Sequence, residues 1–309
     1  MDPHASFSNS KRAAIILAGG EGTRLTALTR KIAGLQLPKQ FCAVVGEMPL
    51  LEQTRRRASR CIHHDLISFA LNQEQERFFK PILKDVCVEN LVVQPCNRGT
   101  APAILYSLLR LTESAPDLSV LLIPSDHYIS NEAALAGYID LAFATVEMRP
   151  ELTVLLGITP DEPETAYGWI EPGAILNMGH RDIFQVRRFW EKPSPRIAQE
   201  LLARGCLWNS FMIVGRASTL LSLFILATPQ LYSEFWKIKP TLGTCFEGET
   251  VRRLYEQLPA IDFSHQILES AANLAVLRVS DVGWTDLGEP RRVSRLMASL
   301  GIREKWSAV

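Results

Sequence analysis

Several groups of residues in this chain have the types and spacing needed to handle phosphate. An apolar run, Ala13-Ala14-Ile15-Ile16-Leu17-Ala18, opens into Gly19-Gly20-Glu21-Gly22-Thr23-Arg24-Leu25, and Lys39 follows at Pro38-Lys39. Glycines at the end of a buried strand let backbone N–H groups approach an anion with no Cβ in the way. Arg24 and Lys39 add fixed positive charge, so the set reads as a grip for polyphosphate. Asp126 follows the apolar run 120–123, and Asp286 lies in a Gly-bracketed turn after the run 274–279. Two hard carboxylate ligands with phosphate oxygens make a typical Mg²⁺ site, in which the ion keeps several waters. Lys192 stands between Glu191 and Pro193, and Asn209 in Leu207-Trp208-Asn209-Ser210 has the chemistry to orient hydroxyls. Taken singly, each has an ordinary reading: a turn or capping aspartate, a surface ion pair, a structural asparagine. His127 reads as a structural hydrogen-bonder.

Two familiar phosphate motifs fit badly. A P-loop needs Gly, four residues, then Gly-Lys-Ser/Thr, and that string is absent from the sequence. The dinucleotide fingerprint needs a third glycine where Gly20-Glu21-Gly22-Thr23-Arg24-Leu25 places Leu25. The loop therefore argues against a P-loop NTPase and against a Rossmann dehydrogenase.

Composition narrows the class further. The 309 residues are 47% hydrophobic and 21% charged, which suits a folded protein with a sizeable core. Lysine plus arginine balances aspartate plus glutamate at 33 each, so no electrostatic case exists for a general nucleic-acid partner. Cysteines 42, 61, 87, 96, 206 and 245 are scattered without a Cys-x-x-Cys pair, which points to reduced thiols in a cytoplasmic protein rather than a zinc or disulfide framework. The first twelve residues lack an apolar signal region, and the stretch near 220–227 is too short to cross a bilayer. A soluble cytoplasmic protein with no membrane partner is expected.

The elements that must position these groups alternate. Strand-like runs at 13–18, 66–71, 90–94, 119–123 and 152–158 are separated by helix-like segments near 50–61, 73–84, 100–114 and 131–148. That alternation predicts βαβ units and a mostly parallel sheet. Thr100 is expected to cap its helix, with Pro102 in the first turn. After about 160 the rhythm changes, with strands expected at 167–172, 184–191, 207–214 and 274–279 and helices near 195–204, 216–227 and 247–258. No linker or internal repeat divides the chain, so one α/β domain over 1–309 is expected. Its parts are a nucleotide half over about 13–160 and, over about 161–293, a second lobe built on the same sheet together with a C-terminal helix. In such sheets ligands bind beyond the carboxyl ends of strands, and each of the polar motifs at 19–24, 94–100, 124–127, 191–193 and 286 follows an expected strand.

The combination resembles the sugar-1-phosphate nucleotidyltransferases, and within them the mannose-1-phosphate guanylyltransferase branch. The matching strings span residues 13 to about 293. They are Leu17 to Leu25; Pro38-Lys39-Gln40-Phe41; Gln94-Pro95 with Arg98 to Ile104; Pro124-Ser125-Asp126-His127; Pro163 to Ile170; Glu191-Lys192-Pro193; Leu207-Trp208-Asn209-Ser210; and Trp284-Thr285-Asp286-Leu287-Gly288. The resemblance implies a Rossmann-like mixed sheet flanked by helices and a transfer of GMP from GTP to mannose 1-phosphate, giving GDP-mannose and pyrophosphate. By that resemblance Gly19, Gly20, Gly22, Thr23, Arg24 and Lys39 hold the triphosphate, while Gln94, Gly99 and Thr100 face the base. Asp126 and Asp286 ligate Mg²⁺, and Gly168, Glu191, Lys192 and Asn209 line the sugar-phosphate pocket. Arg24, Lys39 and Lys192 carry the catalysis.

The chemistry agrees with this inventory. An already anionic sugar phosphate attacks the α-phosphorus in line, so positioning and charge neutralisation suffice without a general base. Three departures from the family pattern stand out: Thr26-Ala27 replaces Trp-Pro, Gly99 replaces asparagine in Arg-Asn-Thr, and Phe211 replaces the glycine after Trp-Asn-Ser. They leave open the same reaction with another NTP or hexose 1-phosphate, and an inactive nucleotide-sensing subunit is the alternative from a different class. The chain ends at residue 309, too soon after Asp286 for the isomerase domain or β-helix of some relatives, so a monofunctional enzyme is expected; a homo-oligomer is possible.

Overall fold

The computed structural model describes residues 11–114, 118–177 and 182–302. Eleven strands are found among them: β1 Arg12–Leu17, β2 Ile67–Asn72, β3 Leu91–Gln94, β4 Ser119–Pro124, β5 Tyr128–Ile129, β6 Thr153–Ile158, β7 Trp169–Ile175, β8 Ile183–Trp190, β9 Leu207–Arg216, β10 Leu274–Val279 and β11 Trp284–Thr285. In chain order the helices are α1 Thr26–Ala33, α2 Leu50–Ala58, α3 Glu76–Ile82, α4 Thr100–Ser114, α5 Glu132–Met148 and α6 Pro195–Ala203. After them come α7 Ala217–Ala227, α8 Pro229–Ile238, α9 Glu247–Gln257, α10 Phe263–Gln266 and α11 Pro290–Ser299. None of the described helices is long and apolar enough to cross a membrane.

Nine strands form one sheet in the order β3-β2-β1-β4-β9-β6-β10-β8-β7. The β3-β2-β1-β4 half is parallel, as its βαβ rhythm requires. β9 runs antiparallel to both β4 and β6, and β10 is parallel to β6. The carboxyl ends of β1, β2, β3, β4, β6 and β10 therefore share one edge. β7 pairs with β9 as well as β8, so β9-β6-β10-β8-β7 closes into a hydrogen-bonded ring. The second lobe is thus the same sheet curled on itself. A separate two-stranded ribbon joins β5 to β11 and brings the segment after β10 over the end of β4.

Strands β2, β4 and β6 are buried at every residue, because helices cover both faces. Alternation along β1 sends Ala14 and Ile16 into one core, with Phe69, Phe143 and Val293, and Ala13 and Ile15 into the other, with Leu105, Phe224 and Tyr255. The sequence expectations hold for these strands within one or two residues. The helix expected over 73–84 is divided: the Asn72 carboxamide accepts a hydrogen bond from the Glu74 N–H and starts a 3₁₀ turn, and α3 begins only at Glu76. Helix α8 was not anticipated, although Pro229 stands at its first turn and Leu231, Phe235 and Ile238 recur on one buried face.

Helix α11 docks through charge as well as apolar packing. Val293 and Met297 enter the core, while the buried Arg292 guanidinium bonds to the Glu164 carboxylate and reaches Asp286 Oδ1 at 2.6 Å. It also lies 4.4 Å from the centre of the Tyr167 ring. Burial pushes both acids upward, but Lys39 and Arg292 outweigh it at Asp286, and the Ala166 N–H with Arg292 outweighs it at Glu164. Both carboxyls consequently lie below their ordinary values of 3.8 and 4.5. Unfolding would let them bind protons more readily, so their contribution is full at neutral pH and is lost as pH falls through those depressed values. Removing the cation from a buried ion pair typically costs about 3–5 kcal/mol. Arg292→Ala is expected to lower the unfolding free energy from urea titration by that order at pH 7, with a deficit that shrinks as pH falls through the depressed values of the two carboxyls. A loss below about 1 kcal/mol, the level of a surface pair, would show that α11 does not depend on this network.

Candidate functional site

Two adjoining cavities open at the shared strand edge. The larger, about 410 Å³, is lined by Gly19, Gly20, Gln94, Gly99, Asp126, Glu191 and Phe211 among others. The smaller, about 290 Å³, is walled by Gly22, Thr23, Arg24, Lys39, Asp126 and Gly288. Arg24, Asn97 and Asp126 belong to both, so the two form one cleft over the first, third and fourth strands.

The glycine loop is rigidly supported. Gln40 donates its amide to the carbonyls of Ala18 and Gly20, and Gln75 donates a second hydrogen bond to Gly20 O. Gly22 has φ +61°, and a Cβ there would lie 2.9 Å from the Lys39 backbone nitrogen, so the loop and the 38–41 segment meet backbone to backbone. Arg24 is exposed and makes no ion pair among the described residues, which leaves its guanidinium available to an anion. Lys39 is placed otherwise. Its buried ammonium donates to Asp286 O at 2.5 Å and pairs with Asp126 Oδ2 at 3.1 Å. It is a fixed charge in the cleft wall.

Asp126 and Asp286, far apart in sequence, are brought together around that ammonium. Burial raises both, yet Lys39 dominates the balance and keeps both carboxyls below the ordinary range. Asp126 lines both cavities. Asp286 Oδ1 accepts from Tyr167 Oη, Gly288 N–H and Arg292, while Oδ2 takes up the space that a Cβ on Gly288 would enter at 2.3 Å. Two ionised carboxylates, each with an oxygen outside these protein hydrogen bonds, and a neighbouring phosphate loop form a donor set that suits a hard divalent cation. His127 accepts from Trp284 Nε1 at 3.2 Å, and burial lowers its pKa to about 4, so it is neutral at physiological pH.

At the other end of the cleft, Gln94 is buried with its amide donating to Leu71 O and its carbonyl accepting from Tyr255 Oη. Thr100 does not cap α4 as expected. Its hydroxyl accepts from Phe263 N–H and approaches Asp262, while the Ala101 N–H donates to Ile261 O. The segment leading into α10 therefore occupies the place a capping side chain would fill, and Gly99 allows it. At φ +86°, a Cβ on Gly99 would lie 2.3 Å from Ile261 O.

The expected sugar-phosphate residues also gather. Asn209 N–H donates to Gly168 O, and a Cβ on Gly168 would lie 2.9 Å from Glu191 Oε2. Lys192 is exposed, left-handed at φ +44°, and 3.0 Å from Glu191. Burial raises the Glu191 carboxyl against that pairing. Sequence reasoning missed Gln75, Asp262, Tyr255 and Arg292. Only Arg292 carried a usable signal, an arginine six residues beyond Asp286 on the inner face of the C-terminal helix.

The Nucleotidyl transferase family matches residues 13–300. The chain is 33% identical over 289 residues to the xanthan biosynthesis protein XanB of Xanthomonas campestris, covering 89% of this chain and 57% of that protein. It is 30% identical to the mannose-1-phosphate guanylyltransferase of Escherichia coli K12, covering 91% of this chain and 59% of that one. The chain thus spans rather under two thirds of the length of these relatives. Among solved structures, one titled mannose-1-phosphate geranyltransferase from Thermus thermophilus superposes with a TM-score of 0.80 at 26% identity, over 93% of this chain and 79% of that one. A UDP-glucose pyrophosphorylase structure shares the fold at a TM-score of 0.57 and 13% identity, over 95% of this chain and 99% of that one. With the family match running from the first strand to the end of α11, the chain belongs to the nucleotidyl transferase family.

Proposed function

We propose that this chain transfers GMP from GTP to mannose 1-phosphate, forming GDP-mannose and pyrophosphate. The observation that carries the reading is the single cleft in which an exposed arginine, a glycine loop and the ionised Asp126 meet at the carboxyl edge of the sheet, with Asp286 buried behind its wall and tied to Asp126 through Lys39. The relatives named for that reaction support it. A phosphate oxygen of the sugar phosphate forms the new bond to the α-phosphorus while the bond to the β-phosphate bridging oxygen breaks. Amides of Gly19 to Thr23 and the Arg24 guanidinium bind the triphosphate, and Arg24 meets the charge that shifts towards pyrophosphate. Lys39 fixes the positions of Asp126 and Asp286 and neutralises their mutual repulsion. A Mg²⁺ ion held by Asp126 and Asp286 would supply charge neutralisation between the phosphates. Lys192, exposed beside Glu191, binds the sugar phosphate, with Gly168 and Asn209 shaping that end. The neutral, bonded His127 is not needed as a base, because the nucleophile is already anionic.

Pyrophosphate release, measured for each NTP with each common hexose 1-phosphate, is expected to be fastest for GTP with mannose 1-phosphate. Equal or faster turnover of another pair would replace the substrates and retain the reaction; silence with every pair would favour a nucleotide-sensing role.

Asp126→Asn and Asp286→Asn should each lower kcat strongly, and chelation should silence the wild type. The amide keeps the size and removes the charge that holds a hard cation. Near-normal rates of both variants at limiting Mg²⁺ would reduce the two aspartates to turn residues.

Lys192→Ala should reduce kcat/KM for mannose 1-phosphate while leaving binary GTP affinity almost unchanged. A charge-assisted phosphate contact contributes about 1.5–3 kcal/mol, roughly tenfold to 150-fold in rate. Arg24→Ala should chiefly depress kcat. A Lys192→Ala protein with weakened GTP binding and a normal sugar-phosphate dependence would place this lysine at the nucleotide end instead.

A further inference from the structure

Strand β9 holds a conformation that its residue type does not favour. Phe211 has φ +58°, the left-handed region natural to glycine. The cause is a bulge: Leu155 pairs with Ile213 and Gly157 with Asn209, so two steps along β6 match four along β9. Neighbouring side chains over-determine the turn. Asn209 Oδ1 accepts from Phe211 N–H at 3.0 Å, and Ser210 Oγ accepts from Met212 N–H at 3.2 Å while donating to Leu156 O at 2.5 Å. A glycine would adopt this turn without strain, so a large side chain held there invites a functional explanation.

Position supplies one. Phe211 is only half-buried and lines the larger cavity together with Glu191 and Asp262. Its ring packs edge-on against Phe263 at 6.1 Å, and Phe263 packs on Phe224 at 5.5 Å, so an aromatic column backs it from the core. Asn209, which sets the turn, is tied to Gly168 on the Glu191 side of the cleft. This wall is apolar where its neighbours are acidic. A pyranose ring matches that pattern, with one face of C–H groups and a rim of hydroxyls to donate to carboxylates.

We propose that Phe211 determines sugar specificity: its ring forms an apolar wall against the C–H face of a neutral hexose 1-phosphate and excludes hexoses bearing a bulky N-acyl group. This rests on the nucleotidyl-transfer reading above and concerns only its sugar end. Because the backbone turn is held by Asn209 and Ser210, Phe211→Gly should keep the fold. The expected result is an unchanged or raised melting temperature and a GTP KM within about twofold of wild type. The kcat/KM for mannose 1-phosphate should fall about tenfold or more, the scale of losing apolar contact in a specificity pocket. The kcat/KM for N-acetylglucosamine 1-phosphate itself should rise by a similar factor. Phe211→Leu should retain most of the wild-type preference. A Phe211→Gly enzyme with wild-type sugar preference overturns the proposal, as does one whose losses follow a lowered melting temperature and a raised GTP KM. Absence of turnover by the wild type with every sugar phosphate would overturn the underlying reading of the reaction, and the proposal with it.

Discussion

Two buried cations hold the cleft together, and both act on Asp286. Lys39 grips its backbone carbonyl and, with the same ammonium, the carboxylate of Asp126. Arg292 grips its side chain and, with the same guanidinium, Glu164. Segments following α1, β4 and β10 and the last helix thus converge on one residue. Neither cation is in water, so each attraction is stronger than at the surface, and each would be a large penalty if its partner were lost. The arrangement favours a site whose charges are fixed before any ligand arrives.

That fixity suits phosphoryl chemistry more than proton chemistry. When the nucleophile and the leaving group are both anions, the protein's work is to hold opposite charge where negative charge moves. The cleft has features that suit it: acids kept ionised by a buried lysine, a loop pinned by Gln40 and Gln75, and Arg24 exposed at the junction of two cavities. His127, beside Asp126, is kept neutral by burial and bonded to Trp284. Its work is to pack and bond at the β5–β11 ribbon.

Much of this was legible in the sequence because the fold places polar motifs where strands stop. The run 13–18 ending in glycines, the run 120–123 before Asp126 and the run 274–279 before the Asp286 turn are local signals, and the sheet aligns their ends. Side-chain partners were harder to read, since they depend on residues distant in sequence. Lys39 looks like a free phosphate ligand until Asp126 and Asp286 are brought to it, and Gln94 looks available until Leu71 and Tyr255 take up its amide. Helix α8 shows a different failure. Its pattern was present in Leu231, Phe235 and Ile238, but it follows α7 after Thr228 alone, with no loop between the two helices to mark a second start.

The two departures nearest the cleft prove to be opposite cases of one constraint. Gly99, where the family pattern has asparagine, resembles a lost contact to the base. In the fold it sits at φ +86° with Ile261 O where a Cβ would stand, so the missing side chain is the condition for the segment before α10 to close over α4. That closure brings Asp262 and Ser264 to the cavity wall. Phe211 inverts the exchange: a side chain occupies a left-handed position that glycine would fill without strain. One change removes a side chain so that backbone can approach, and the other keeps a side chain despite the backbone. Both alter the walls of the larger cavity and spare the charged floor shared with the smaller one.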